Sequence, residues 1–72
     1  MATESLMTVE QVADYLNVPV KTVYRWRLTG TGPRGARVGR YVRFRRADVE
    51  AWVERRVEVE RRVEEERAAR AR

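Results

Sequence analysis

Neither cysteine nor histidine occurs in the 72-residue sequence. The first absence removes a disulfide framework and the thiolate ligands of a structural zinc site. The second removes the imidazole ligands of such a site and the commonest general base. A zinc finger is therefore excluded. Lysine is nearly absent as well, because Lys21 stands alone among 16 basic residues and arginine carries the rest of the positive charge. No apolar run approaches the roughly 20 residues that cross a bilayer. The opening residues also lack the basic region and apolar block of a secretory signal, so the expected location is the cytoplasm. At this length the chain is one domain at most, burying only about 60% of its unfolded surface. That leaves no room for a substrate cavity.

What is present is a basic balance, with a formal charge of +5 and a pI near 10.7. Such a balance favours polyanions, and arginine favours bidentate pairing with phosphate or guanine. Residues 8–29, TVEQVADYLNVPVKTVYRWRLT, read as two short helices meeting at a corner. In the first, Val9, Val12, Ala13 and Leu16 recur at the spacing that collects apolar side chains on one face. Its start is marked by Thr8 at the N-cap, Gln11 completing a capping box, and Met7 placed to staple onto Val12. Asn17, which tolerates the left-handed conformation, marks its end. Pro19 opens the second helix, since proline is accommodated where its missing N–H has no intrahelical partner. That helix is expected over residues 20–29, stopped by Gly30, with Val23 and Trp26 turned inward.

Gly30 to Gly35 form a glycine-rich turn region. The following ARVGRYVRFR reads as a two-stranded hairpin with Arg40 at its tip. A two-residue turn at Gly39 and Arg40 would pair Val38 with Tyr41 and separate Val38 from Val42 and Phe44. A three-residue loop instead gathers Ala36, Val38, Val42 and Phe44 on one face and sends Arg37, Arg43 and Arg45 outward together. The second register is preferred because it keeps the apolar set together. A third helix is expected from about Arg46, with Asp48 suiting the macrodipole in its first turn and Val49, Trp52, Val53 and Val57 as its apolar stripe. Trp26 and Trp52 are expected to supply much of the core's apolar area. Beyond Glu54 the composition turns to Glu, Arg, Val and Ala, with Glu58/Arg62 and Glu66/Arg70 in the favourable order for helical ion pairs. The helix is expected to continue there, without a sustained heptad seam. The domain plan is a loose leader over residues 1–5, a helix-turn-helix with a hairpin and closing helix over 6–54 and a charged helical extension over 55–72.

In a helix-turn-helix the start of the second helix meets base edges, which here means Val20, Lys21, Thr22 and Arg25. Lysine or arginine can donate to guanine O6 and N7, and threonine can hydrogen-bond a base or touch a thymine methyl. Arg27, Arg34, Arg37, Arg43 and Arg45 suit phosphate contacts, Tyr24 suits either a phosphate or packing on the hairpin, and Arg40 at the hairpin tip suits a neighbouring minor groove. No acid interrupts residues 34–46, whereas a merely solvated surface usually mixes signs. Asp14 and Asp48 lack a histidine, a third acid or a metal-ligand motif, and Gly30-Thr31-Gly32 is not followed by the Lys-Ser/Thr of a phosphate-binding loop. An enzyme is rejected, and no metal or cofactor is implied.

The segments TVEQVADYLNVPVKTVYRWR and VGRYVRFRRADVEAWVE resemble the excisionase family of small winged helix-turn-helix proteins, related to the DNA-binding domains of MerR-type regulators. The likeness covers about residues 6–54. It implies a mainly α fold with a small β-hairpin and an accessory protein of the bacterial cytoplasm or nucleoid, without catalysis. Such a protein binds repeated sites on double-stranded DNA, bends them and directs an integrase toward excision. On this pattern Lys21, Thr22 and Arg25 fall at major-groove positions and Arg40 at the wing tip. Pro19 departs from it, standing where many members carry a serine or threonine N-cap. Protomer contacts on adjacent sites are a further expectation. Two other readings stay open: a transcriptional regulator of the same fold, and a protein-interaction adaptor whose basic surface is incidental.

Overall fold

The computed structural model describes residues 5–71. Apart from Ser5, the leader expected over residues 1–5 lies outside the described residues. Two strand residues, β1 (Met7–Thr8), lead directly into helix α1 (Val9–Leu16). Thr8 therefore serves twice. As a strand residue it faces Arg43 across the sheet, and as the N-cap its side-chain oxygen accepts from Gln11 N–H at 3.0 Å while its own N–H donates to Gln11 Oε1 at 2.9 Å. This is the expected capping box, two otherwise orphaned donors satisfied reciprocally. At the other end Asn17 adopts φ 59°, and Val18 N–H reaches back to Ala13 O at 2.9 Å. The chain reverses there.

Helix α2 (Val20–Thr29) follows with Pro19 as N-cap, and ends at Gly30, as the sequence predicts. A hairpin of β2 (Gly35–Val38) and β3 (Tyr41–Phe44) comes next, and then the long helix α3 (Arg46–Arg70). The sheet order is β1-β3-β2, all antiparallel. The third strand is an addition to the expected two-stranded ribbon. It solves the ribbon's stability problem locally, since a lone hairpin is marginal in water and Met7 pairs with Phe44 to extend its buried face.

The hairpin register is a correction to the three-residue loop expected above. Val38 pairs with Tyr41 and Arg37 with Val42, so the turn is the two-residue one at Gly39 and Arg40. Gly39 has φ 66° and Arg40 does not have a positive φ, which is the combination a type II′ hairpin turn requires. Turn geometry thus outweighs apolar grouping. Cross-strand partners share a face, so Val42 and Phe44 look toward the core, while Val38 and Tyr41 are left exposed on the outer face. Gly35 lies opposite Phe44 on the inner face, where an added Cβ would come within 2.6 Å of the ring. The ring takes the space a side chain would need.

Met7, Val9, Val12, Ala13, Val23, Phe44 and Val49 make the buried core, so every element except β2 contributes to it. The two tryptophans are not its centre. Trp26 and Trp52 are half-buried and meet with centroids 5.0 Å apart, and Trp52 Nε1–H donates to Thr31 O at 3.0 Å. They clamp the loop after α2 onto α3. Along α3 the apolar stripe fades outward: Val49 is buried, Trp52 and Val53 are half-buried, and Val57 is 61% exposed. Val57 is therefore not a core residue, because the helix has left the domain by that turn. At 25 residues α3 is about 37 Å long. Its projecting part carries ion pairs such as Arg62 with Glu58 at 3.6 Å and Arg56 with Glu60 at 3.2 Å. Among the described residues the expected Glu66/Arg70 pair is not formed. No helix among these residues is long and apolar enough to cross a membrane.

Candidate nucleic-acid interface

The chemistry of α2 follows from what its inner side does not use. Val23 is its single fully buried residue, with Trp26 and Val20 partly buried against the core. The remaining side chains are Lys21, Thr22, Tyr24, Arg25, Arg27, Leu28 and Thr29, without an acid among them. Lys21 and Arg25 are exposed and lie one turn apart on the same face, opposite Val23. Thr22 is half-buried beside them and Val20 is half-buried against the core, so the two cations are the more available of the four expected base-contacting residues. Because Pro19 offers no side-chain cap, the first-turn amides of α2 also carry no side-chain oxygen. They add a partial positive charge at the end where Lys21 stands.

Both ends of α2 are held in place. At its start Thr22 N–H bonds Pro19 O at 3.0 Å, and at its close Gly30 N–H bonds Trp26 O at 2.7 Å. The Thr29 hydroxyl lies 3.2 Å from Arg25 O and 2.8 Å from Thr31 Oγ1. The outer face is thus a rigid surface, carried by a support helix whose own caps are complete.

The wing arginines divide differently from the expectation. In the three-residue register Arg37 and Arg43 would point the same way, but in the observed one they occupy opposite faces of the sheet. Arg37 shares the face of Val42 and Phe44, the side on which the helices pack, and remains exposed. Arg43 lies on the outer face, where its guanidinium sits 5.0 Å from the Tyr41 ring centroid and donates to Val42 O at 2.8 Å. Arg45 is paired with Asp48 at 2.9 Å, which neutralises part of its charge. Arg34 and the tip residue Arg40 are exposed, as are Arg27 and about half of Tyr24.

Asp14 is exposed at the end of α1, and Tyr15 beside it lies under the Arg46 guanidinium at 5.5 Å. Among the described residues no group of three or more acidic side chains is gathered where it could hold a metal ion. Sequence reasoning passed over one residue of α2. Leu28, seven positions after Lys21 and therefore in line with it, is 89% exposed. Projecting the helix from Val23 as its inner point would have found it.

Comparison with curated proteins gives no match. A family model described as a helix-turn-helix domain matches residues 6–57.

Proposed function

Since the chain belongs to this helix-turn-helix domain family, which implies sequence-specific DNA binding, we propose that it acts as an excisionase. In that role it binds repeated sites on double-stranded DNA and bends them to set an integrase toward excision. The observation that carries the DNA-facing part is the acid-free outer side of α2, with Lys21 and Arg25 exposed opposite the buried Val23. Lys21, Thr22 and Arg25 read base edges in the major groove, with Val20 shaping their edge. Arg40 enters the adjacent minor groove, and Tyr24, Arg27, Arg34 and Arg37 hold phosphates. Arg43 and Arg45 contribute less, because each is already engaged within the protein.

Residues 6–54 are the DNA-binding part in this reading, and 55–72, helical as far as Arg70, an extension that meets a neighbouring protomer or the integrase. Bending a site of 20–30 base pairs costs on the order of 1–6 kcal/mol, which several protomers side by side supply more readily than one small domain. Val59 and Val63, exposed one turn apart on one face of the projecting part of α3, support a protein contact there. The protein works without catalysis, in the cytoplasm or nucleoid of a bacterial host.

A transcriptional regulator of the same fold would use the same α2 surface, so the two are separated by whether the gene lies beside an integrase gene or beside a regulated operon. Footprinting against protein concentration, with the full chain and with a chain lacking residues 58–72, tests the cooperative part of the excisionase reading. The excisionase reading expects adjacent repeats to fill cooperatively, with cooperativity lost on truncation. Independent filling by both chains would remove it.

A further inference from the structure

An isolated apolar side chain on a surface is ordinary, and by itself Leu28 would mean nothing. Three observations set it apart. Its exposure of 89% is the highest among the large apolar side chains of the described residues, and it stands on the one face of α2 that the core leaves free. At 100° per residue Leu28 falls within about 20° of Lys21 and 60° of Arg25, nearly opposite Val23. It therefore continues the proposed groove-facing surface past Lys21, on the side where Tyr24 lies. Finally, it is not a frayed end. The Thr29 hydroxyl lies 3.2 Å from Arg25 O, and Gly30 and Thr31 both donate to Trp26 O, at 2.7 and 3.1 Å.

A fixed, desolvatable leucine flanked by cations suits one feature of the major groove. Among the base edges exposed there, the apolar one is the 5-methyl group of thymine. Tyr24, one turn before Leu28 and 48% exposed, widens the apolar strip on the same side. Leu28 lies about 10.5 Å along the helix from Lys21, which is about three base-pair steps of 3.4 Å.

We infer that Leu28 is a specificity residue that packs on a thymine methyl in the major groove, about three base pairs from the pair read by Lys21. This deepens the DNA-binding reading and rests on it. It also implies that α2 lies along the groove over most of its length, rather than entering by its N-terminal turn alone.

The test selects bound duplexes from a random pool with the wild-type chain and with Leu28→Ala. Each thymine of the wild-type consensus is then replaced by deoxyuridine, which removes only the methyl group. Alanine at so exposed a helical position leaves folding intact and favours the helix slightly, so a loss of binding is not a loss of structure. The expected result is one thymine whose replacement weakens wild-type binding about fourfold, as loss of one buried methyl-sized group does. Leu28→Ala binds the parent duplex roughly tenfold more weakly, loses the preference at that position and no longer responds to deoxyuridine there. Should the wild type enrich a consensus while no thymine responds, or should the variant respond equally, the inference fails and the DNA reading stands. Should the wild type enrich no sequence, the DNA reading fails and takes the inference with it.

Discussion

Helices α1 and α2 are neighbours of similar length that use their residues in opposite ways. Of the eight residues of α1, Val9, Val12 and Ala13 are buried, and a complete capping box holds its start. Of the ten residues of α2 only Val23 is buried, no side chain caps its start, and it carries no acid. One helix is specified by what it packs against, the other by what it leaves outside. The difference shows how a domain this small separates stability from recognition: α1 with Phe44 and Val49 fixes a platform, and α2 contributes one valine and two half-buried residues to it. Its other side is then free to vary without unfolding the molecule.

Substitutions on the two helices should therefore move different readouts, and any crossover would break the contrast. The largest effect is expected from Val12→Ala, since Val12 is fully buried: chemical denaturation should show a loss on the order of 2–3 kcal/mol. DNA affinity, corrected for the folded fraction, should not change. Next comes Arg25→Ala on α2, expected to cost about 1–3 kcal/mol of discrimination at one base pair with an unaltered melting temperature. A melting temperature that falls with Arg25→Ala would mean that α2 is structural after all. Thr8→Ala removes the N-cap of α1 and should lower stability by about 1 kcal/mol, again without altering sequence preference. The smallest effect concerns the wing. Arg37→Ala should reduce the log–log salt slope of binding by about 0.9, one phosphate's share, whereas Arg43→Ala should reduce it by less. Equal reductions would show that the contacts Arg43 makes with Val42 O and Tyr41 do not withhold it from the duplex.

Local signals were the legible part. The Thr8/Gln11 box, Asn17, Pro19 and Gly30 are punctuation that acts within a few residues, and the bounds of α1 and α2 follow from them. The features that sequence reasoning missed depend on partners distant in the chain. A two-residue strand such as β1 has no periodicity to read, and only its pairing with Phe44 and Arg43 makes it a strand. In the wing, grouping the valines by hydrophobicity gave the wrong register, because Gly39 permits the tighter turn and Val38 and Tyr41 accept exposure. The reach of the α3 stripe was overstated by one residue, since Val57 has helical spacing from Val53 but nothing to lie against. For the candidate interface, Lys21 and Arg25 could be read from charge and phase. Leu28 could not be read from charge, but the helical phase that sets Lys21 opposite Val23 reaches it too, and its exposure singles it out.

Guanine N7 is the major-groove atom that Arg25 and Lys21 are expected to engage, and its methylation by dimethyl sulfate reports whether that groove is covered. On a selected duplex saturated with wild-type protein, at least one N7 within the site is expected to be shielded, and Arg25→Ala to reopen one such position. Undiminished N7 reactivity across the site at full occupancy would contradict placement of the outer face of α2 in the groove.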